Sequence, residues 1–409
     1  MGTRVVVTGM GVVSPLGNDV KTFWSAVCAG KSGIRKLDRY DASALPTQIA
    51  GQVEPCAPAD IPPKEIRRKD LYSIYALVAS DEAWAQSGMD LSRETPERCG
   101  AIIGSGIGGI STLIEGHETF LKEGYRHLSP LTIPKLLTNI AAGEVAMRFG
   151  LRGPNKSVVT ACATGAQCIT EAANAIRLGQ ADVMLAGGSE ASLTAFSMGG
   201  FCAMKAMSRR NDEPERASRP FDMDRDGFVM GEGAGILVLE SEEHAKARGA
   251  EILGEIAGYG ETSDAYHLTA PLPDGAGVAA SMRIAMSEAR VNPADVAYIN
   301  AHGTSTKHND ATESAALRTV FGADMPPVSS TKSMMGHLVG AAGSVEAITC
   351  LLSIRDGVLP PSINYETPDP ECDVNLVANQ ARESRVDVAL SNSLGFGGHN
   401  ATLVCRRYG

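Results

Sequence analysis

Ser157-Val-Val-Thr-Ala-Cys-Ala-Thr-Gly-Ala-Gln167 is the stretch from which the architecture of this chain can be inferred. Its β-branched residues at 158–160 predict the end of a buried strand, and the segment 167–178 has the composition of a helix. Cys162 is therefore expected on a sharp strand-to-helix turn. There, backbone N–H groups could face a substrate oxygen, and the helix N-terminus would favour the thiolate. Two interpretations stay open from this stretch alone, a nucleophilic cysteine and a buried structural one.

An alternation of strand and helix continues on both sides of this turn, which is typical of α/β proteins. In the first half we predict strands at 99–104 and 181–189, with helices at 70–87 and 139–149. A comparable rhythm follows Gly249, with strands at 252–258 and 296–300, helices at 278–289 and 343–356, and a hairpin of 387–391 with 401–405. The sequence therefore predicts two α/β halves, residues 1–250 and 251–409.

Composition and charge restrict the class of function. The chain has 409 residues, 44% hydrophobic and 21% charged, which suits an ordered protein with a large core. Its net charge of −10 argues against nonspecific nucleic-acid binding. No apolar run approaches the ~18 residues of a membrane span, and no signal-peptide pattern is found. Nine scattered cysteines without a C-x-x-C pair are typical of a reducing compartment. We expect a cytoplasmic protein that binds neither nucleic acid nor membrane.

A cluster of basic side chains stands out in this acidic chain. It lies within the stretch 61–70 and consists of Lys64, Arg67, Arg68 and Lys69. The first three would share one helical face at i, i+3 and i+4 spacing. A solvated helix face explains such a cluster, and so does a docking surface for an acidic partner. The cluster alone does not choose between them.

Two histidines in the second half lie in glycine-containing turns. Asn300-Ala-His-Gly-Thr-Ser-Thr306 follows a predicted strand, and Thr331-Lys-Ser-Met-Met-Gly-His-Leu-Val-Gly340 precedes a predicted helix. A lone histidine beside glycine is more often a hydrogen-bonded structural residue. Two of them, His302 and His337, together with a cysteine at a strand end, favour a catalytic set.

These motifs resemble those of the β-ketoacyl-acyl carrier protein synthases. Cys162 in Thr-Ala-Cys-Ala-Thr-Gly, His302 in Ala-His-Gly-Thr-Ser-Thr and His337 in Lys-Ser-x-x-Gly-His look like the Cys-His-His set of that family. The stretch Asn392-Ser-Leu-Gly-Phe-Gly-Gly-His-Asn400 is similar to its closing loop. Several separate motifs occur in the right order, which makes the resemblance specific.

The resemblance covers nearly the whole chain, from Val5 to about Leu403. Asn309-Asp310 looks more like the elongating synthase II branch than the synthase I branch. The family implies a thiolase-like fold, which is a duplicated α/β unit in a five-layered αβαβα arrangement, and a homodimer. It also implies a decarboxylative condensation of an acyl group held on Cys162 with malonyl-acyl carrier protein in fatty acid elongation. No cofactor is implied.

The resemblance also assigns roles to individual residues. Cys162 would carry the acyl group, while His302 and His337 would stabilise the enolate formed when the malonyl group loses carbon dioxide. The N–H of Phe396 would complete an oxyanion hole with that of Cys162. The other implied positions are Lys332 and Glu346 behind the histidines, Thr304 and Thr306 beside the pantetheine arm, and Ile107, Phe201 and Phe396 along the acyl pocket.

A partner and an ion site are implied as well. Acyl carrier protein is acidic, so the basic cluster becomes a candidate docking surface, with these members: Lys64, Arg67, Arg68, Lys69 and Lys205. No catalytic metal is implied. A structural monovalent cation is expected near Asn300, Glu346, Ser391 and Asn392.

Departures from the family pattern occur at two places. Lys307-His308 stands where proline and an aliphatic residue are common, and we expect His308 to face solvent. His399 replaces a threonine common in the closing loop, and we expect it to be structural.

Three rival functions use the same architecture. The ketosynthase subunit of a type II polyketide synthase uses the same residues and differs in pocket length and partner subunit. A chain-length factor lacks a nucleophile, which Cys162 supplies here. A thiolase acting on coenzyme A esters needs a second acid–base cysteine, and none lies in a matching loop of this sequence.

Overall fold

Strands and helices alternate along the chain in the computed structural model, which describes residues 3–409. The strands are Val5–Val13 (β1), Ile34–Lys36 (β2), Ile49–Gly51 (β3), Cys99–Gly104 (β4), Asn155–Lys156 (β5), Val183–Glu190 (β6), Gly233–Ser241 (β7), Gly254–Ser263 (β8), Tyr298–Asn300 (β9), Val328–Ser329 (β10), Val358–Leu359 (β11), Arg382–Glu383 (β12), Val388–Gly395 (β13) and His399–Arg406 (β14). The helices are Val20–Cys28 (α1), Pro63–Ile66 (α2), Leu71–Ser87 (α3), Ile110–Glu123 (α4), Thr132–Leu136 (α5), Ile140–Phe149 (α6), Thr164–Arg177 (α7), Ala195–Ala203 (α8), Glu242–Ala247 (α9), Ala276–Ala289 (α10), Lys307–Phe321 (α11), Lys332–Met335 (α12) and Ala342–Asp356 (α13).

Ten strands form one continuous sheet whose middle joins the two halves of the chain. Its order is β10-β9-β13-β14-β8-β1-β7-β6-β4-β5. The first five strands in this order come from the second half of the chain, and the last five come from the first half. The junction is a short antiparallel pairing of β1 with β8, with Val6 opposite Glu255 and Val7 opposite Gly254. Each half therefore contributes five strands.

Helices separate and cover the two halves of the sheet, which produces five layers. α7 and α13 pack on each other and on strands of both halves, so they form the central layer. α3 and α6 cover the first half, and α10 and α11 cover the second. Side chains alternate accordingly along β6, because Met184 and Ala186 join the central core whereas Val183 and Leu185 pack with α3 and α6. This is the thiolase-like αβαβα arrangement that the family resemblance implied.

The central helices are buried along most of their length. Every residue of α13 from Ala342 to Ile354 is buried, as a helix between the two halves of the sheet requires. α7 is buried along most of its length and begins two residues after Cys162. Within residues 3–409, no helix combines the length and apolarity needed to cross a bilayer.

The buried strand predicted at 158–160 is not formed. The strand before Cys162 is β5, which ends at Lys156 and occupies the end of the sheet beside β4. Val159 is 47% exposed. An edge strand has a hydrogen-bonding partner on one side only, so the ladder ends early and the chain leaves the sheet for the turn. The β-branched residues at 158–160 predicted a buried strand, but the chain at the edge of the sheet is not covered on both sides.

The helix predicted for the basic cluster is a single turn. α2 ends at Ile66, and Arg67 is its C-cap. The helical face expected for Lys64, Arg67 and Arg68 therefore does not extend beyond this turn. Two prolines, Pro62 and Pro63, start the turn, and Asp70 caps the next helix, which leaves too few residues for a longer one.

Candidate active site

Cys162 lies on a strained turn that faces a cavity of about 540 Å³. Ala161, which precedes it, has a φ of +50°, a left-handed conformation that residues with a Cβ rarely adopt. Thr164 Oγ1 accepts a hydrogen bond from the Thr160 N–H at 2.9 Å and closes the turn. The chain thus reverses within a few residues and points the thiol into the cavity rather than into the core.

Burial dominates the electrostatics of the Cys162 thiol. It raises the pKa of the thiol to about 12, while the Lys332 ammonium and the Phe396 N–H act in the opposite direction. The resting thiolate that we expected from the helix N-terminus is therefore not the ground state, because desolvation outweighs the nearby positive charge. Acyl transfer to Cys162 has to release a proton as the new bond forms.

His302 and His337 meet at Cys162 from two different elements. His302 follows β9, and His337 follows the one-turn helix α12, so both lie in turns as predicted. Their ring centroids are 5.2 Å apart at an interplanar angle of 85°. A ring nitrogen of each and the Cys162 sulfur all lie within 4.8 Å of one another. The structure therefore brings the three residues of the Cys-His-His set to one point.

Hydrogen bonds determine which nitrogen of each imidazole carries the proton. Nδ1 of His302 accepts from the Lys332 ammonium at 3.3 Å, and Nδ1 of His337 accepts from the Val339 N–H at 3.3 Å. Burial and the Lys332 ammonium lower the pKa of both rings well below the ordinary value, so both are neutral. A neutral ring that accepts at Nδ1 carries its proton on Nε2. Both rings can therefore donate Nε2–H to a developing oxyanion.

The same arrangement argues against a metal ion bound by these three residues. Cysteine and histidine are common zinc ligands, and the three ligand atoms are close together. A metal-bound imidazole, however, donates its other N–H to an acceptor. Here Nδ1 of each ring faces a hydrogen-bond donor instead. The donor is the Lys332 ammonium for His302 and the Val339 N–H for His337. The set is suited to donating hydrogen bonds rather than to ligating a metal.

Lys332 lies behind His302 in a buried ion pair. Its ammonium contacts the Glu346 carboxylate, and both side chains are almost fully buried. Burial raises the pKa of Glu346 to about 7, although Lys332 acts to lower it. One donor of Lys332 remains directed at His302, so the pair orients the imidazole and stays out of the cavity.

The loop between β13 and β14 reaches the turn that carries Cys162. A Cβ on Gly395 would lie 2.5 Å from the Thr160 carbonyl oxygen, so only glycine permits this approach. The N–H of Phe396 is directed at the Cys162 sulfur. The Phe396 ring is 37% exposed, and its centroid lies 6.5 Å from that of Phe201. A Cβ on Gly395 would also lie 3.4 Å from the Cys162 nitrogen, so the backbone that leads to Phe396 lies against that of Cys162, where the oxyanion hole is expected.

The cavity wall contains the remaining substrate positions that we predicted: Ile107, Phe201, Thr304 and Thr306. Phe228, which the sequence did not single out, packs edge to face on Phe201 and on His337, with centroid distances of 5.3 and 5.9 Å. Exposed basic side chains mark the mouth of the cavity: Lys205, Lys307 and His308. His308 is exposed, as expected, and also lines this mouth.

Two buried carboxylates beside the site were not recognised from the sequence. Glu313 on α11 accepts the His302 N–H at 2.8 Å. Glu190, at the end of β6, accepts the N–H groups of Gly106 and Gly340 at 2.8 and 3.0 Å. The available signal for Glu190 was an acidic residue that ends an otherwise apolar strand. For Glu313 it was an acidic side chain inside the helix that follows the His302 motif.

The basic residues near α2 divide into paired and unpaired side chains. Lys64 and Arg67 are exposed and form no ion pair with any residue of the described range 3–409. Arg68 pairs with a neighbouring glutamate, and Lys69 is half-buried with its ammonium 2.6 Å from Glu144. Lys69 therefore has a structural partner, which weakens its prediction as a docking residue.

Three of the four expected cation ligands carry a buried oxygen without a hydrogen-bond partner in the part of the chain that the structure describes. These are Asn300 Oδ1, Glu346 Oε2 and Ser391 Oγ. The register of β9 and β13 places Asn300 opposite Ser391. Oxygen donors of this kind suit a hard cation. Asn392 fits less well, because its oxygen accepts a hydrogen bond from Thr402 at 3.0 Å.

The fold and the Cys-His-His geometry define a thiolase-like ketosynthase. A beta-ketoacyl synthase from Burkholderia phymatum STM815 superposes with a TM-score of 0.92 at 36% identity, over 100% of both chains. A type II polyketide ketosynthase solved with its acyl-carrier protein superposes with a TM-score of 0.91, also at 36% identity and over 100% of both chains.

Sequence comparison identifies the family. The models of the beta-ketoacyl synthase N-terminal and C-terminal domains match residues 2–245 and 253–366. The 3-oxoacyl-acyl-carrier-protein synthase 2 of Coxiella burnetii is 48% identical over 409 residues, which cover 99% of this chain and 98% of that protein. The protein of the same name from Staphylococcus aureus strain COL is 49% identical over 408 residues, with the same coverage. This chain belongs to the beta-ketoacyl synthase family and is an acyltransferase.

Proposed function

We propose that this chain is a β-ketoacyl-acyl carrier protein synthase of the type II branch, which condenses an acyl chain with malonyl-acyl carrier protein in fatty acid elongation. The observation that carries this proposal is the full-length similarity of 48–49% to 3-oxoacyl-acyl-carrier-protein synthase 2. The convergence of Cys162, His302 and His337 at one cavity supports it.

In the first half-reaction Cys162 becomes acylated. Its sulfur attacks the carbonyl carbon of the acyl thioester, and the N–H groups of Cys162 and Phe396 hold the oxyanion of the tetrahedral intermediate. The carbon–sulfur bond to the carrier then breaks. The carrier leaves as a thiol with the proton released by Cys162. Ile107, Phe201 and Phe396 border the acyl chain in the cavity.

In the second half-reaction malonyl-carrier loses carbon dioxide, and the electron pair of the broken bond forms an enolate. The Nε2–H groups of His302 and His337 donate to the enolate oxygen, and Lys332 and Glu346 hold His302 in place. The enolate carbon attacks the acyl carbonyl. A carbon–carbon bond forms and the thioester bond to Cys162 breaks. The sulfur leaves as a thiolate, which takes a proton from water to restore the thiol. Thr304 and Thr306 line the approach of the pantetheine arm.

The ketosynthase subunit of a type II polyketide synthase is a second candidate function. It is supported by the superposition, at a TM-score of 0.91, on a polyketide ketosynthase. The lower identity of 36% in that comparison, against 48–49% for the synthase 2 proteins, favours fatty acid elongation. Product analysis with malonyl-carrier alone separates the two, since poly-β-keto chains would exclude the fatty acid assignment.

The partner surface and assembly are further parts of the proposal. Acyl carrier protein docks on four exposed cations, of which the last lines the cavity: Lys64, Arg67, Arg68 and Lys205. Lys69 is a minor member because of its ion pair. The chain forms a homodimer through the exposed apolar residues near the sheet edge. It works as two halves, residues 1–250 and 251–409, in the cytoplasm. Free thiols at all nine cysteines are in keeping with that compartment.

A structural monovalent cation near Asn300, Glu346 and Ser391 completes the proposal. Their unpaired buried oxygens are the support for it, and Asn392 lies beside them as a weaker ligand. The cation would fix the ends of β9 and β13 behind His302. We expect a higher melting temperature in potassium or sodium chloride than in choline chloride at equal ionic strength. Equal melting temperatures would exclude the cation.

Mass spectrometry tests the assigned activity directly. After incubation with acyl-loaded carrier protein, the chain should gain the mass of one acyl group, and this adduct should be absent in Cys162→Ala. Cys168→Ala, which removes the buried thiol on α7, is the matched control and should still form the adduct. Absence of an adduct on the unaltered chain would contradict the proposed function.

A further inference from the structure

Glu190 is a fully buried carboxylate that the condensation mechanism does not use. Its Oε2 accepts the N–H groups of Gly106 and Gly340 at 2.8 and 3.0 Å, and its Oε1 accepts the hydroxyl of Ser105 at 3.1 Å. No cation of the described residues lies within ion-pair distance of it. A buried carboxylate held only by N–H and O–H donors is uncommon, and each of these donors belongs to a loop beside the catalytic cavity.

One of these loops contains a strained residue. Val339, which precedes Gly340, has a φ of +46°, a conformation that a β-branched residue adopts only when its surroundings impose it. The surroundings include a tight backbone approach, because a Cβ on Gly340 would lie 2.3 Å from the Gly106 nitrogen. Glu190 binds both of these N–H groups with a single oxygen, so it holds the two loops together at the strained turn.

The strained turn determines the chemistry of His337. The Val339 N–H donates to His337 Nδ1 at 3.3 Å, and the next N–H along the chain, that of Gly340, donates to Glu190. The first hydrogen bond keeps the His337 proton on Nε2, where the ring can donate to the enolate. The second holds Val339 in the conformation that makes the first possible.

We propose that Glu190 is a positioning residue, which anchors the Val339–Gly340 turn so that His337 presents Nε2–H to the cavity. The inference rests on the proposed function, since it assigns Glu190 to the decarboxylation step. Acylation of Cys162 relies on the N–H groups of residues 162 and 396 and does not need His337. Loss of the Glu190 anchor therefore slows decarboxylation of malonyl-carrier far more than acylation of Cys162.

The test measures the two half-reactions separately in Glu190→Met, which keeps the volume and removes the acceptors. Malonyl-carrier decarboxylation should fall about 10²-fold, the usual loss for one preorganised donor. Acylation of Cys162 should stay within about fivefold of the unaltered protein. Glu190→Gln, which retains an oxygen for both N–H groups, should recover most of the decarboxylation rate.

Glu82→Met is the matched control. Glu82 also accepts two backbone N–H groups, those of Val12 and Val20 at 3.0 and 2.7 Å, and none of these residues lines the cavity. This variant should have a lower free energy of unfolding, and the ratio of its decarboxylation rate to its acylation rate should be unchanged. A Glu190→Met protein with equal losses in both half-reactions, or with no loss of decarboxylation, would overturn the inference.

Two further variants keep the test decisive if Glu190→Met does not fold. Glu190→Asp retains the charge but is too short to reach both loops, so it should decarboxylate malonyl-carrier more slowly than Glu190→Gln. Faster decarboxylation by Glu190→Asp would refute the inference that Glu190 acts by bridging the two loops. Val339→Gly removes the cost of the left-handed turn and, added to Glu190→Asp, should raise decarboxylation about tenfold. If the unaltered protein performs neither half-reaction, the proposed function itself fails, which is a distinguishable outcome.

Discussion

At the scale of single residues, the proposed mechanism depends on neutral histidines. A protonated imidazole near the enolate would risk protonating its carbon, whereas a neutral ring donates a hydrogen bond from Nε2–H and keeps its proton. Burial and the Lys332 ammonium lower the pKa of His302 and His337 well below the ordinary value. The buried ion pair with Glu346 is what holds that ammonium beside the rings.

Substitution of Lys332 separates its orienting role from its contribution to stability. Lys332→Met should reduce malonyl decarboxylation about 10²-fold, because Nδ1 of His302 loses its donor and the tautomer is no longer fixed. It should also reduce the free energy of unfolding by about 3 kcal/mol, because Glu346 is left buried without a partner. Decarboxylation assays and denaturant unfolding measure the two effects.

The double variant Lys332→Met/Glu346→Gln provides the control. Neutralising Glu346 should restore most of the stability and should not restore decarboxylation. Recovery of both together would mean that Lys332 acts only on stability and has no orienting role.

At the scale of secondary-structure elements, an ion cluster fixes α9 to the first half of the sheet. The histidine of α9 is His244, whose Nδ1 lies 2.6 Å from a Glu240 oxygen and whose Nε2 lies 2.8 Å from a Glu94 oxygen. Arg248 also binds Glu240 at 2.6 Å. The hydrogen bond to Glu240 is the largest cause that raises the pKa of His244 to about 9, and Glu94 adds to it.

This cluster predicts a pH dependence of stability. The pKa of His244 is higher in the folded than in the unfolded chain, where it is about 6.5. The contribution of the protonated ring is therefore complete below pH 6.5 and is lost as the pH rises through about 9. His244→Gln should lose about 2–3 kcal/mol of unfolding free energy at pH 6 and almost nothing at pH 10. Denaturant titrations at both pH values test this, and a pH-independent difference would contradict it.

At the scale of the whole molecule, charge reversal tests the docking surface. Arg67→Glu with Arg68→Glu should raise the KM for acyl-carrier substrates about tenfold at low salt, and the difference should shrink at high salt. The KM for an acyl-pantetheine thioester should not change, since it has neither a carrier protein nor a phosphate for the arginines to bind. Arg385→Glu, at an exposed arginine of the second half, is the control and should leave both KM values unchanged. An unchanged KM for carrier substrates would refute the docking surface.

We expect two copies of the chain to associate through exposed apolar side chains of the first half. Exposed apolar side chains come from neighbouring elements α4, α5 and α6 and from the segment after the edge strand β5: Leu113, Phe120, Leu121, Ile133, Leu137, Met147 and Val159. Leu121 and Met147 are among the most exposed of these, at 69% and 76%. Leu121→Glu with Met147→Glu should yield monomers in sedimentation experiments. Ile284→Glu, on the outer layer of the second half, should not, and a dimeric double variant would contradict this interface.

The sequence was sufficient for those features that local pattern encodes. Short apolar runs and apolar periodicity located most of the elements, including β4 at Cys99–Gly104, whose six residues are all buried. The motifs around Cys162, His302 and His337 placed reactive side chains in tight turns, and their resemblance to the β-ketoacyl-acyl carrier protein synthases implied the reaction.

The tertiary structure alone decided the properties that depend on contacts between distant parts of the chain. The edge position of β5 follows from strand order, the pKa of Cys162 from the depth of its burial, and the tautomer of His337 from a backbone N–H in a strained turn. Glu190 meets its partners at Gly106 and Gly340 only when β6 is folded between them. Such contacts join residues far apart in sequence, so no local pattern can specify their geometry, and it is this geometry that determines where each proton lies.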